Sequence, residues 1–168
     1  MYSNWAGLTP AALAVTAGLP ETSEAVAAAV QCCGDLSYVY TTTKTKAEPL
    51  ALNRLVIGVE DTSKVKSAFD MACAVAKGVG FAREWANRPA NHATPTLLAN
   101  AAKGLTTTGI TCKVHGPAEV AKLGMGAFMA VAQGSSEQLR FIELRYNGAA
   151  KAEAPVVLVG KGITFDTG

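Results

Sequence analysis

The sequence has little of what would place it outside the ordinary globular class. It has no run of five or more like charges, and its formal net charge is +2, so the uniform basic stripe of a nucleic-acid binder is missing. Lys44, Lys46, Lys64 and Lys66 are interleaved with Glu48, Glu60 and Asp61, which breaks up the one basic patch worth testing. No apolar run reaches the roughly 20 residues of a membrane-spanning helix. The amino terminus lacks a basic flank followed by an apolar core, so a cytoplasmic protein with no membrane partner is expected. Cys32, Cys33, Cys73 and Cys112 have no C-x-x-C spacing among them, which argues against a zinc ribbon or a disulfide framework. Buried, reduced thiols are expected instead. Histidine is scarce: His92 lies in a turn-rich loop and His115 at the end of a predicted strand. Neither has a second ligand nearby in sequence, and neither is read as a metal ligand.

What is present is 168 residues, 49% hydrophobic and 17% charged, enough for one domain of ordinary size. Met1 to Leu19 offers only a possible helix opening at Thr9-Pro10. Glu21 to Glu24 supplies capping chemistry for a helix to about Gly34, with Ala25, Val26, Ala29, Val30 and Cys33 at helical spacing. Thr41 to Pro49 reads as a loop, and Leu55 to Val59 as a strand. Asp61 caps the longest predicted helix, whose apolar stripe steps through Val65, Phe69, Ala72, Val75, Val79, Ala82 and Trp85 until Pro89 ends it. Gly78 and Gly80 in its middle would let another element pack close. A turn-rich stretch, Asn87 to Pro95, opens a helix to about Leu105.

Three strands are expected after that: Ile110–Val114, Phe141–Tyr146 and Val156–Val159. Helical material from Pro117 to Ala132, broken at Gly124-Met-Gly126, separates the first two. The Met and Phe row in that segment reads as core. Asn147-Gly148 and a connection of about ten residues make the last two strands antiparallel neighbours in a mixed sheet, because a helical crossover needs more chain.

The last stretch, Pro155-Val-Val-Leu-Val-Gly-Lys-Gly-Ile-Thr-Phe-Asp-Thr-Gly168, carries the chemistry. Val156 to Val159 reads as a strand buried on both faces, and Lys161 sits between Gly160 and Gly162 at its carboxyl end, where α/β sheets bind ligands. Asp166 follows five residues on. A phosphate-binding G-x-x-x-x-G-K-[ST] loop is excluded, since Pro155 stands at the first glycine's place and Gly162 at that of the Ser or Thr. A metal site and a solvated lysine followed by an aspartate turn both remain compatible with the spacing.

Val159 to Gly168 closely resembles the metal-binding signature of the leucyl aminopeptidase (cytosol aminopeptidase) family of two-metal exopeptidases. Asn87-Arg-Pro-Ala-Asn-His-Ala-Thr-Pro95 and the stretch Leu123 to Ser135 resemble two further signatures, in the family's order. The resemblance implies an α/β fold made of the end of an amino-terminal domain (1–60), a long linking helix and loop (61–92), and the first part of a mixed-sheet, helix-flanked catalytic domain (93–168). It implies that Lys161 coordinates one of two divalent ions, zinc or manganese, and that Asp166 bridges both. The catalytic residues and the remaining carboxylate ligands are expected beyond Gly168, and substrate-binding residues are not assigned. The implied reaction is attack of a metal-activated water on the first peptide bond of a peptide substrate, leucine-like residues preferred, in a homo-oligomer that the family resemblance makes a hexamer. With two ligands only, the 168-residue chain itself is expected to be inactive. The alternative is a non-catalytic binding or regulatory module that associates with full-length subunits or DNA, although the interleaved charges make nucleic acid an unlikely partner.

Overall fold

A computed structural model of the chain describes residues 12–15, 22–48 and 54–164. The chain divides into two compact units, Met1–Asn87 and Arg88–Gly168. The possible helix opening at Thr9-Pro10 lies outside the described residues, and so does Asp166.

In the first unit, strands β1 (Ala12–Val15) and β2 (Arg54–Ile57) pair in parallel, Ala12 opposite Arg54 and Val15 opposite Ile57. Parallel neighbours need a long crossover, and helix α1 (Ser23–Ser37) lies within the connecting segment. Thr22 caps α1 by accepting from the Ala25 amide at 3.2 Å, as the Glu21–Glu24 chemistry predicts. The strand β1 was not expected, because its Ala-rich sequence carries little β propensity.

Helix α2 (Thr62–Ala86) is the longest element. The Asp61 carboxylate accepts from the Ser63 amide at 2.9 Å and from the Ser63 hydroxyl at 2.6 Å, which lowers the Asp61 pKa. Val26 and Val30 of α1 and Val65 and Ala72 of α2 are buried. A Cβ added at Gly34 would lie 3.1 Å from the Ala76 Cβ, so α1 and α2 approach closely there because Gly34 has no side chain.

At the carboxyl ends of these two helices the contacts turn polar. The Arg83 guanidinium lies 4.3 Å from the centre of the Tyr38 ring and donates to the Asp35 carbonyl at 3.1 Å. Asn87 donates to the Tyr38 hydroxyl at 3.2 Å, and Thr42 donates to Glu84.

The apolar stripe predicted for α2 is only partly covered. Phe69, Val75 and Val79 are exposed, as are Met71 and Phe81. The apolar residues span a wider arc than one neighbouring helix can cover, so α1 takes the centre and leaves the flank open. A Cβ at Gly78 or Gly80 would meet nothing within 4 Å, so the close approach expected there is absent among the described residues.

In the second unit, Pro89 is followed by a 3₁₀ turn, Ala90–His92. Helix α3 (Pro95–Gly104) starts with Thr94 accepting from the Leu97 amide at 3.3 Å, with Pro95 in its first turn. A second 3₁₀ turn, Leu105–Thr108, ends at Gly109, whose φ of +81° is left-handed backbone that suits glycine. There the chain enters strand β3 (Ile110–His115).

Helix α4 (Pro117–Lys122) begins with Glu119 accepting from the Gly116 amide at 2.6 Å. It ends in a Schellman arrangement: Gly124 has φ +70°, its amide reaches Ala121 O, and the Met125 amide reaches Val120 O. This is the break predicted at Gly124-Met-Gly126, and α5 (Gly126–Ala132) follows it.

Strand β4 (Phe141–Tyr146) pairs antiparallel with β3, Ile110 opposite Tyr146 and His115 opposite Phe141. The core of this unit is small: Ala93, Ala99, Ala102, Val120 and Leu139 are buried, and Val120 is fully so. The expectation that the Met and Phe row of α5 forms core is corrected in degree. Phe128 and Met129 are half-buried, Phe128 against the Phe141 ring at 6.4 Å, while Val131 is exposed.

Two expectations about the sheet are overturned. Val156 to Val159 forms no ladder, and the four side chains are 89%, 73%, 91% and 94% exposed. Strand β4 is the partner of β3, not of residues 156–159. Two strands therefore follow Ile110 among the described residues, not three. A valine-rich run has the propensity for a strand, but a strand exists only when a neighbour accepts and donates the ladder hydrogen bonds. The cysteines are all free as expected, but not buried: Cys32 is exposed and Cys33, Cys73 and Cys112 are half-buried. No helix among the described residues is long and apolar enough to cross a membrane.

Candidate functional site

Lys161 follows the extended run directly, is exposed, and lies in neither helix nor strand. Asp166, its predicted partner, is outside the described residues, so the two are brought together only by their spacing in sequence. Among the described residues, no group of three or more His, Cys, Asp or Glu side chains could hold a metal ion. One exposed amine does not make a metal site, so the described residues alone do not fit a bound ion.

His92 is exposed within its 3₁₀ turn, in keeping with its reading as a non-ligand. His115 is half-buried and stacks on Phe141, ring centres 5.5 Å apart. Its Nε2 is 3.5 Å from Glu143 Oε2.

This grouping was not anticipated. Its signal lay in the alternation of the two strands: once β3 and β4 pair, Lys113 stands opposite Glu143 and Thr111 opposite Arg145. The Arg145 Nε donates to Glu143 Oε1 at 2.5 Å. That hydrogen bond is the main reason the Glu143 carboxyl sits below its ordinary value of 4.5, with partial burial opposing it and the charge of Arg145, then His115 and Lys113, assisting.

A depressed carboxyl stabilises the fold above its unfolded pKa, and that contribution is lost as pH falls through the folded value. Acidification from about pH 6 to about pH 3 is therefore expected to loosen the β3–β4 ribbon. Glu143→Gln should flatten that part of the acid limb in unfolding measurements, and an unchanged acid limb in this variant would contradict the assignment.

The second unit also has an open cleft of about 260 Å³, lined by Pro117, Met129, Ala132 and Leu139 beside Ser135 and Glu137. It is mainly apolar, and Lys161 does not line it. The grouping at Glu143 and this cleft thus provide no nucleophile or metal cage, and the chemistry rests on the Gly160–Gly168 stretch.

The sequence model described as the cytosol aminopeptidase family, catalytic domain, matches residues 80–168, more than half of the chain. The chain belongs to the cytosol aminopeptidase family. A probable cytosol aminopeptidase of Acidovorax ebreus (strain TPSY) is 68% identical over 145 residues, covering 86% of this chain and 29% of the relative.

Solved members of similar fold include the bottromycin maturation enzyme BotP in complex with Mn. It is 27% identical with a TM-score of 0.65, and the match covers 74% of this chain and 26% of that one. A mutant of tomato leucine aminopeptidase aligns with a TM-score of 0.73 at 24% identity, covering 83% of this chain and 30% of that one, which shows the fold. The chain thus spans about 29% of the length of a curated cytosol aminopeptidase. Its α/β architecture is that of part of a leucine aminopeptidase. Both Lys161 and Asp166 fall inside the stretch matched to the cytosol aminopeptidase catalytic domain.

Proposed function

We propose that this chain is part of a metal-dependent aminopeptidase that releases amino-terminal residues from peptides, leucine-like ones preferred. The match of residues 80–168 to the family's catalytic domain supports this reading. In it, residues 1–60 are the end of an amino-terminal domain, 61–92 a linking helix and loop, and 93–168 the start of the catalytic domain. Lys161 and Asp166 supply two ligands to a pair of divalent ions, zinc or manganese, and a solved relative that carries Mn supports divalent metal use.

Lys161 can serve only as a neutral amine, because an ammonium has no lone pair to donate, and adjacent divalent ions favour loss of its proton. Asp166 contributes a carboxylate, the hard oxygen donor that both metals accept. When bound, the ions polarise the substrate carbonyl and activate a water. The catalytic side chains and remaining ligands belong to the longer parent, which we read as a cytoplasmic homo-oligomer, a hexamer by family resemblance, without membrane or nucleic-acid partners.

A metal held by two side chains keeps most of its coordination sphere as water and is neither fixed in position nor able to tune an attacking hydroxide. The 168-residue chain is therefore expected to show no leucyl-amide hydrolysis above buffer, while the parent turns the substrate over. Turnover by the purified 168-residue chain with bound metal would refute its inactivity. Absence of turnover by the metal-loaded parent would refute the activity itself.

A further inference from the structure

Residues 156–159 pose a physical problem that the rest of the second unit does not share. The run Pro155-Val-Val-Leu-Val-Gly160 contains no polar side chain, and its four central residues are 73–94% exposed. It forms no ladder with β3 or β4. A surface strand shields one face and solvates the other, so its side chains alternate in polarity. A run that is apolar at every position needs cover on both faces, and a flat apolar strand with free edges is a site of association.

We infer that Val156–Val159 is an inner strand, completed on both edges by strands from the part of the parent polypeptide that this chain does not span. Two observations favour that occupant over a second copy of this chain. Pairing two copies of the run edge to edge would still leave each with one bare edge and two bare faces. In addition, the chain covers 29% of a relative's length, which leaves most of the polypeptide available as cover. Pro155 does not oppose the assignment, since proline is tolerated at the first position of a strand.

The inference has a consequence for Lys161. It lies two residues beyond Val159, so its position becomes fixed only when the strand is paired. Completion of the sheet then precedes assembly of the metal site. The inference rests on the longer-parent reading, but not on the assignment of metal ligands.

The test is amide hydrogen exchange at Val156, Val157, Leu158 and Val159, in the metal-free parent and in the 168-residue chain. Neighbouring amides of a strand point to opposite edges, so a strand paired on both sides protects all four, and an edge strand protects every second one. The expected result is exchange slowed by roughly 10³-fold or more at all four amides in the parent, and fast exchange at all four in the 168-residue chain. Fast exchange in the parent, or protection of alternate amides only, overturns the inference. So does concentration-dependent protection in the 168-residue chain, which would make a second copy the occupant. Val157→Asp gives an independent arm: thermal unfolding of the 168-residue chain should be unchanged and that of the parent lowered, while equal effects in both would overturn the inference. Because exchange is read without metal, failure of the Lys161 assignment would leave this result untouched.

Discussion

Asp166→Asn in the complete parent is expected to lower leucyl-amide hydrolysis by roughly 10²–10³-fold or more, with the fold unchanged. The substitution keeps the side chain's size but removes the negative charge proposed to lie between two cations, and it replaces one oxygen with an amide nitrogen that has no lone pair to offer a metal. Metal-ion stabilisation of a developing oxyanion contributes several kcal/mol. Each loss of about 1.4 kcal/mol costs a factor of ten in rate. Steady-state rates, read alongside far-UV circular dichroism and thermal unfolding, separate the chemical effect from a folding effect. An unaltered rate would remove Asp166 from the metal site.

The second large effect is on stability. Val120 is the fully buried side chain of the second unit, held in α4 between the Glu119 cap and the Schellman turn at Gly124. Val120→Asp puts a carboxyl where no polar partner waits, and burial of an unpaired ionisable group costs several kcal/mol even after it takes up a proton. Native stabilities are about 5–15 kcal/mol, and the surrounding core is only a few small side chains. Loss of cooperative unfolding in the second unit is therefore expected. Val120→Ala should lower stability by about 2 kcal/mol. Unchanged thermal unfolding in Val120→Asp would show that this site is not the core position the structure gives it.

What the sequence makes legible here is local chemistry. Asp61 and Thr94 are caps whose side chains reach amides two or three residues on. Prolines and left-handed glycines mark where helices begin and end, so α2, α3 and the break at Gly124 follow from residues close in sequence. Ile110–His115 and Phe141–Tyr146 are recognisable as strands for the same reason.

Partnership is what the local pattern does not encode. Val156–Val159 has the composition of an inner strand but no neighbour among the described residues, and β4 pairs with β3 instead. The exposed flank of α2, with Met71, Val75 and Val79, is likewise apolar without cover, because periodicity reports which residues prefer burial and not whether enough chain is present to bury them. The grouping at Glu143 was hidden for the converse reason, since only the register of two strands 26 residues apart brings Lys113, His115, Glu143 and Arg145 to one ribbon.

The candidate site divides along the same line. The motif from Val159 to Gly168 is legible as a sequence, down to the lysine and the aspartate. Its geometry depends on a strand that must first be paired, so Lys161 is exposed in the chain by itself.

The central claim is that these residues belong to a two-metal aminopeptidase, and the most direct test is metal dependence of the complete parent. Leucyl-amide hydrolysis would be measured with the as-purified parent, after chelator stripping, and on titration with Zn or Mn, with bound metal counted by elemental analysis. The account predicts that stripping abolishes turnover and that activity returns as two ions per chain are bound. Full turnover by the stripped protein, or no turnover with both sites filled, would contradict it.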